Sequence, residues 1–329
     1  MTVTTLPPTI PPAPEPPPKS FARRRSIGDR SFATVAVLSG LSVLAILLLI
    51  SWATTKEAWP IFQHHATGFL FSKTWDPNSN HYGMLAFLFG TVVTSIIALV
   101  FAVPLSIGIA LFVNEVAPRW LRRPVISVLD LLAVVPSVVF GLWALQVLAE
   151  PIRNFYEHVS DALSHIPIIG RLFEGPVNGS SFFTAGLILA LMIVPIMTSL
   201  IREVFATTPA NEKEAAWALG ATRWEMVRGA IIPHSKAGMV GAMTIGLGRA
   251  MGETIAVALI IGSSPQITAK LFQPGDSMPA VIANNFGEAS GDMRAALIGL
   301  GVMLFVLTLL VNLSANVLVQ RSIRKSRGA

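Results

Sequence analysis

The feature that most constrains this sequence is a set of long apolar runs that contain almost no charge. A bilayer core of about 30 Å is crossed by roughly 20 helical residues, and six stretches are long enough. They are residues 32–52, 84–113, 124–148, 180–201, 237–262 and 295–319. Four of them carry no charge, whereas the third contains Asp130 and the fifth contains Arg249 and Glu253. Pro104, Pro136 and Pro195 fall inside the second, third and fourth, where neighbouring helices can satisfy the freed carbonyls. Because backbone groups in lipid must pair within the protein, we expect an all-α polytopic membrane protein with six transmembrane helices.

The charge composition excludes several other classes. Only 13% of the 329 residues are charged, against roughly 25% in soluble domains. The net charge is +6, but the basic residues lie between the apolar runs, which is typical of membrane topology and not of nucleic-acid binding. The chain has no cysteine, and its six histidines do not fall at ligand spacing, so we predict no metal site.

The distribution of Lys and Arg predicts the orientation. Seventeen of them lie in the two tails and in the 114–123 and 202–236 loops, and six lie in the connections on the opposite side. By the positive-inside rule, both termini are cytoplasmic. Residues 1–30 hold eight of the 23 prolines and predict a disordered Pro/Arg-rich tail, followed by a transmembrane domain over 31–320 and a basic tail over 321–329.

An outward connection, residues 150–166, carries apolar side chains at three- and four-residue steps, which predicts an amphipathic helix. These apolar residues are Ile152, Phe155, Tyr156, Val159, Leu163 and Ile166. Such a helix either lies in the lipid headgroup layer or forms a platform for an external partner. The sequence leaves both interpretations open.

The 202–236 loop is the longest inward connection. Helix formers fill 212–219, Gly220 is suited to a left-handed turn, and a second helix is expected from about Thr222, closed before Pro233. This helix–break–helix element either is an ordinary solvated hairpin or transmits a force to the spans that it joins.

The residues of this loop resemble the EAA loop of ABC-importer permeases. The matching residues are Glu214, Ala215, Ala216, Gly220 and Pro233, with Ala230 departing from the usual Ile. The resemblance implies the type I ABC-importer permease fold and a coupling loop over 207–236 in which those five residues contact a cytoplasmic ATPase. The chain has no Gly-x-x-x-x-Gly-Lys-Ser/Thr motif, so we expect no ATP hydrolysis and no cofactor on this chain, with ATP and Mg²⁺ bound by the separate ATPase.

The fifth apolar run carries the two charges that most need explanation. Each ionised group at a helix centre costs roughly 2.5–3.5 kcal/mol. In a continuous helix, Arg249 and Glu253 would share one face and touch, while Gly248 and Gly252 would form a close-packing surface. Since the guanidinium fork matches a tetrahedral oxyanion, the pair indicates either an anion pathway or a structural salt bridge.

The segment from Gly248 to Thr254 is similar to the Gly-Arg-Ala-x-Gly-Glu-Thr signature of phosphate-specific ABC permeases, and the trailing Ala256 and Val257 resemble PstC-type subunits in particular. The resemblance extends over about residues 30–325, and Thr254 replaces the aromatic residue that is usual in sulfate and molybdate permeases. It implies a phosphate pathway at Arg249, Glu253 and Thr254 in a bacterial cytoplasmic membrane. The implied partners are a second permease chain (PstA-type), a homodimeric ATPase (PstB-type), an external phosphate-binding protein (PstS-type) and membrane lipid.

Other functions remain compatible with these residues. A permease for molybdate or sulfate would use the same arginine. A stand-alone secondary anion transporter would also contain buried charges, although such proteins commonly show internal repeats, and none is convincing here. A membrane sensor would need an output domain, which the short C-terminal tail does not provide.

Overall fold

A computed structural model describes residues 27–163, 165–166 and 170–327 and is predominantly helical, which confirms the predicted class. Its helices are α1 (Ile27–Phe71), α2 (Leu85–Leu111), α3 (Arg119–Val134), α4 (Ser137–Trp143), α5 (Ala149–Leu163), α6 (Gly170–Phe173), α7 (Phe182–Ala206), α8 (Ala210–Ala218), α9 (Arg223–Met226), α10 (Ile232–Gly252), α11 (Ile255–Ile260), α12 (Met278–Asn285) and α13 (Gly291–Arg327). Five-residue π-helical turns extend α2, α4 and α9, at Phe112–Val116, Ala144–Leu148 and Val227–Ile231. A short antiparallel pair, β1 (Trp75–Asp76) and β2 (His81–Tyr82), precedes α2.

The chain divides into two units between Ile50 and Ser51, within α1. The described part of the first unit is the helical segment 27–50, which presents exposed apolar side chains along its length. Residues 1–26 of the predicted N-terminal tail lie outside the described residues, and α1 already begins at Ile27.

The core of the second unit is built on the packing of α2 against α7. The missing side chain of Gly186 on α7 leaves room for Ile97 of α2, and Ser106 donates a 3.3 Å hydrogen bond to the carbonyl of Val194. Pro104 and Pro195 lie inside these helices, as the sequence predicted. Close contact between neighbouring helices compensates for the hydrogen bond that each proline removes.

A second core joins the end of α1 to α12 and α13. Phe69 of α1, Phe87 of α2 and Leu297 of α13 are all fully buried in it. The helix α13 continues to Arg327, so residues 321–327 of the predicted basic tail extend this helix, and residues 328–329 lie outside the described part.

The predicted count of six spans is not confirmed. Among the described residues, four helices are long and apolar enough to cross a membrane, at Gly28–Gln63, Leu85–Val116, Phe182–Ala206 and Gly291–Ala315. The count rises to five if α3 and the helix that follows it, which are bent by 90°, form one broken span. The third and fifth predicted stretches, residues 124–148 and 237–262, are therefore the two that do not form single spanning helices in the structure.

The third stretch breaks at Val135–Pro136. The helix α3 ends at Val134, Val135 has an extended ψ of 126°, and α4 starts at Ser137 directly after the proline. A proline pushes the residue before it out of the helical region and offers no N–H to continue the ladder. The prediction that Pro136 lies inside a continuous span was wrong for this reason.

The 262–277 loop carries a buried carboxyl group. Asp276 is 5% exposed and its backbone carbonyl packs against Gly90 of α2, at the place where a side chain on Gly90 would lie. The N–H of Ser277 donates to its Oδ1 at 2.8 Å. Burial raises the pKa of Asp276 to about 6, because the ionised form loses hydration inside the protein.

This shift predicts a pH dependence of stability. Below the unfolded pKa of 3.8 the neutral carboxyl group is favoured in both states, and as pH rises through about 6 the folded state bears the cost of a buried charge. The free energy of unfolding should therefore fall over this window, by up to about 3 kcal/mol. Asn stays neutral and can accept the Ser277 N–H, so Asp276→Asn should flatten the profile.

Thermal unfolding of the purified protein in detergent between about pH 4 and pH 7 measures this effect. Asp292→Asn, at an exposed site, is the matched control and should keep the wild-type slope. Equal pH slopes for Asp276→Asn and the wild type would contradict the prediction.

Candidate functional site

The segment from α8 to α9, residues 210–226, is a helical hairpin, here called the α8–α9 hairpin. The helix α8 ends at Ala218, and Gly220 has a φ of +79°, a left-handed conformation that glycine adopts without strain. Thr222 then caps α9 in a capping box, in which the Thr222 N–H donates to the Glu225 carboxylate at 2.7 Å and the Glu225 N–H donates to Thr222 Oγ1 at 3.3 Å. The predicted helix, break and second helix are all present.

The second helix does not end before Pro233, and that part of the prediction was wrong. The helix α9 passes through its π turn into α10, and the N–H of Ile232 reaches back to the carbonyl of Val227. Pro233 lies in the first turn of α10, next to this turn. The wider turn lets the chain pass a residue that lacks an N–H without breaking the helix.

Ionic and hydrogen-bonded contacts hold the hairpin to the membrane helices. Lys213 Nζ lies 2.6 Å from Glu115 Oε1 at the end of α2, and these side chains are only 24% and 14% exposed. Beside Glu115, the Asn114 amide donates to the carbonyl of Arg202 at 2.8 Å, and this bond joins the end of α2 to α7. A displacement of the hairpin must therefore move the ends of α2 and α7 and the start of α10.

The outer surface of the hairpin is unusually apolar. Leu219 is 88% exposed, and Trp224 and Trp217 are also exposed. Glu214, Ala215, Gly220 and Pro233 lie on the same accessible segment, and Ala216 is half-buried. Large apolar side chains exposed together on a polar hairpin indicate a protein-binding surface. The sequence prediction missed this patch, although two Trp and a Leu within eight residues of a charged loop were a usable signal.

The Lys213–Glu115 pair should stabilise the hairpin. Lys213→Met leaves a mostly buried carboxylate without its partner, which we expect to cost about 1–2 kcal/mol of local stability. Amide hydrogen exchange of α8 measures it, with an expected acceleration of roughly tenfold. Adding Glu115→Gln to Lys213→Met should recover part of the loss, and additive effects of the two substitutions would show that the pair does not anchor the hairpin.

The apolar segment that carries Arg249 is not one helix. The helix α10 ends at Gly252, Glu253 has an extended ψ of 128°, and α11 starts at Ile255. Thr254 Oγ1 donates to the carbonyl of Gly252 at 3.2 Å. Glycine is a weak helix former, and this side-chain bond occupies a carbonyl that a continuing helix would use.

The break separates the two predicted charges. In the part of the chain that the structure describes, no ion pair joins Arg249 to Glu253 or to any other acidic group. Arg249 is exposed, in the last turn of α10, and Glu253 is half-buried beyond the helix end. The prediction that the two share a helical face and touch was wrong, because it assumed a continuous helix.

Two glycines of α10 do pack closely, but they are not the predicted ones. A methyl group on Gly246 would lie 2.6 Å from the sulfur of Met197, and one on Gly238 would overlap Val204. Both contacts are with α7, so these glycines allow α10 and α7 to approach closely.

The predicted packing glycines, Gly248 and Gly252, face open space. A methyl group on either would meet nothing within 4 Å. Ile245, one turn earlier, is 56% exposed and lies next to Arg249 on this surface. This side of α10, here called the open face, makes no close contact within the described residues.

The exposed guanidinium of Arg249 determines which surroundings suit the open face. A cation in the last turn complements the carbonyl end of α10, which stabilises it by about 0.3–1 kcal/mol. That is less than the roughly 2.5–3.5 kcal/mol that an arginine costs in the middle of a membrane helix. The open face therefore suits water, an anion or another protein chain, and not hydrocarbon. Among the described residues, no group of three or more metal-ligating side chains could hold a metal ion.

Comparisons with known proteins agree with this architecture. Residues 102–324 match the family described as "Binding-protein-dependent transport system inner membrane component". A protein of Xylella fastidiosa named "Phosphate transport system permease protein PstC" is 42% identical, over 86% of this chain and 89% of its own length. The protein of the same name from Haemophilus influenzae is 40% identical, over 88% of this chain and 92% of its own length.

Solved structures show the same fold at low sequence identity. A bacterial ABC transporter involved in the import of the acidic polysaccharide alginate gives a TM-score of 0.61 at 17% identity, covering 89% of this chain and 96% of its own. The alginate transporter in complex with a pentasaccharide-bound periplasmic protein gives 0.59 at 18% identity, covering 90% and 98%.

Proposed function

Because this chain belongs to the family of binding-protein-dependent transport system inner membrane components, an integral membrane family, we propose that it is the phosphate-conducting permease subunit of an ATP-driven importer. The names of its relatives, at 39–42% identity over most of the chain, support phosphate as the substrate. The chain performs no covalent chemistry in this proposal, and a separate ATPase binds ATP and Mg²⁺.

The observation that carries the proposal is Arg249 on the open face of α10, which is exposed and has no acidic partner among the described residues. A guanidinium presents paired N–H donors that match two oxygens of phosphate. Beside it, a methyl group on Gly248 or Gly252 would meet nothing within 4 Å among the described residues, which leaves room for an anion at the open face. Arg249 therefore contacts phosphate as it passes the membrane centre.

Glu253 and Thr254 select the anion. Since Glu253 is not neutralised by Arg249, its carboxylate can accept a hydrogen bond from a protonated phosphate and repels fully deprotonated sulfate. Thr254 shapes the break by its bond to the Gly252 carbonyl. Selection by these two residues favours phosphate over the alternative oxyanions, sulfate and molybdate.

A single open face cannot enclose an anion, so the pathway needs a second wall. The second wall is a related permease chain, which covers Gly248 and Gly252 and closes the route on its other side. The glycines then serve packing between chains and not within one.

The α8–α9 hairpin supplies the link to ATP hydrolysis. Its exposed Leu219, Trp217 and Trp224 fit a groove on a homodimeric ATPase, while the Lys213–Glu115 pair transmits the movement to the membrane helices. In this proposal the hairpin lies on the cytoplasmic side of a bacterial cytoplasmic membrane, and the positive-inside rule assigns both termini to the same side. Alternating access then exposes Arg249 first to the outside and next to the cytoplasm.

Arg249→Gln tests the pathway. The neutral amide loses the charge-assisted hydrogen bonds to phosphate, so uptake into liposomes by the reconstituted complex should fall at least about tenfold. Basal ATP hydrolysis should stay within about twofold, because the hairpin is intact. Lys73→Gln, an exposed site in the turn after α1, is the control. Unchanged phosphate uptake in Arg249→Gln would remove Arg249 from the pathway.

Leu219→Asp tests the hairpin surface. A charge at the centre of an apolar contact should reduce co-purification of the ATPase to background, because it must be desolvated on binding. The control is Leu172→Asp, at an exposed leucine of α6 that lies outside the α8–α9 hairpin, and this variant should retain the ATPase. A stand-alone transporter would instead take up phosphate in liposomes without any ATPase.

A further inference from the structure

The helix α5 is fastened to the rest of the protein through its apolar face. Tyr156, at its centre, is 0% exposed, and its ring stacks on Phe272 at 4.0 Å with an interplanar angle of 7°. The Tyr156 ring also meets Phe183 edge-on at 5.6 Å, and its hydroxyl lies 3.0 Å from Thr184 Oγ1. This face of α5 packs on protein, so it is not available to the lipid headgroup layer.

The other face of α5 is polar. Its exposed residues include Glu150, Arg153, Asn154, Glu157 and His158. Arg153 and Glu157 form a 3.3 Å ion pair in which both side chains are about half exposed. Phe155, which the spacing placed with the apolar residues, is 62% exposed at the edge of this surface. Charges of both signs beside an exposed aromatic ring suit a soluble protein partner better than hydrocarbon.

The ring that stacks on Tyr156 belongs to the 262–277 loop, which is tied into the same assembly. The Phe183 N–H donates to the carbonyl of Leu271 at 3.0 Å, and the Leu271 N–H donates to that of Leu172 at 2.8 Å. We call α5, α6 and the 262–277 loop the α5 cap. These bonds make the cap move as one piece with the start of α7.

The α5 cap reaches α11 by two routes. In the loop, the Gly275 N–H donates at 2.8 Å to the carbonyl of Ile261, the residue that ends α11. On the other side, α5 continues from α4, where the absent side chain of Gly141 leaves room for the backbone of Ala256 in α11. The helix α11 begins directly after the break at Glu253–Thr254, so a shift of the cap must move that break.

We propose that the polar face of α5 is the docking surface for the external binding protein, and that the Tyr156–Phe272 contact conveys docking to the break beside Arg249. This inference rests on the proposed function. Docking that displaces the α5 cap changes the position of α11 relative to α10, which alters the access of phosphate to Arg249 before ATP is hydrolysed.

The experiment measures ATP hydrolysis by the complex in liposomes as the binding protein, loaded with inorganic phosphate, is titrated. Reversing two charges together, Glu150→Lys with Glu157→Lys, should raise the half-maximal binding-protein concentration at least about fivefold. The control Glu288→Lys, at an exposed site in the turn after α12, should leave it unchanged. An unchanged half-maximal concentration in the double variant would overturn the docking surface, and dependence of stimulation on anionic lipid content instead would assign α5 to the membrane.

A second pair of variants separates docking from its transmission. Phe272→Leu removes the stacked ring, and we expect the maximal stimulation to fall at least about threefold while the half-maximal concentration stays within about twofold. Tyr156→Phe keeps the ring and should keep the stimulation, with basal hydrolysis and thermal stability of each variant recorded to show that it is folded. Full stimulation in Phe272→Leu would overturn the transmission route. If the wild-type complex fails to respond to any loaded binding protein, the proposed function itself fails.

Discussion

The energetic constraint on which this structure depends is the cost of an ionised guanidinium in an apolar membrane segment. Arg249 has no acidic partner among the described residues, and the gain from the helix end is smaller than the cost of burial in lipid. The positions of the glycines on α10 meet this constraint. Gly246 and Gly238 pack α10 tightly on α7, whereas Gly248 and Gly252 leave space around the arginine among the described residues. One helix thereby has a protein-facing side and a side that suits an anion.

The break at Glu253–Thr254 separates α10 from α11, and each of these two helices is connected to a different surface element. The α8–α9 hairpin continues through a π turn into α10, which ends at the break. The α5 cap reaches α11, which begins at the break. A two-residue interruption between two packed helices can change its backbone angles at low cost, whereas the helices cannot. The α8–α9 hairpin and the α5 cap are therefore both connected to the residues that follow Arg249.

Several local features were predictable because a few neighbouring residues decide them. Gly220 and the capping box at Thr222 define the α8–α9 hairpin with contacts no more than three residues apart. The prolines show that neighbouring residues alone do not always decide the local structure. Pro104 and Pro195 remain in helices that are packed on their neighbours, whereas Pro136 breaks its segment with a 90° bend. The residue type is the same at all three positions, so a proline by itself does not determine whether a helix continues.

The sequence by itself determined the membrane class, the family and the α8–α9 hairpin, because apolar run length and turn chemistry act over short stretches of chain. Tertiary structure decided which glycines pack, which face of α5 is buried, and that Arg249 and Glu253 are separated. Those outcomes depend on contacts between residues far apart in the chain, such as Gly246 with Met197 and Tyr156 with Phe272, and on the bond by which Thr254 ends a helix that the hydropathy pattern continued. The periodicity of the sequence shows which residues are apolar, whereas close packing of the folded chain determines which neighbour each of them contacts.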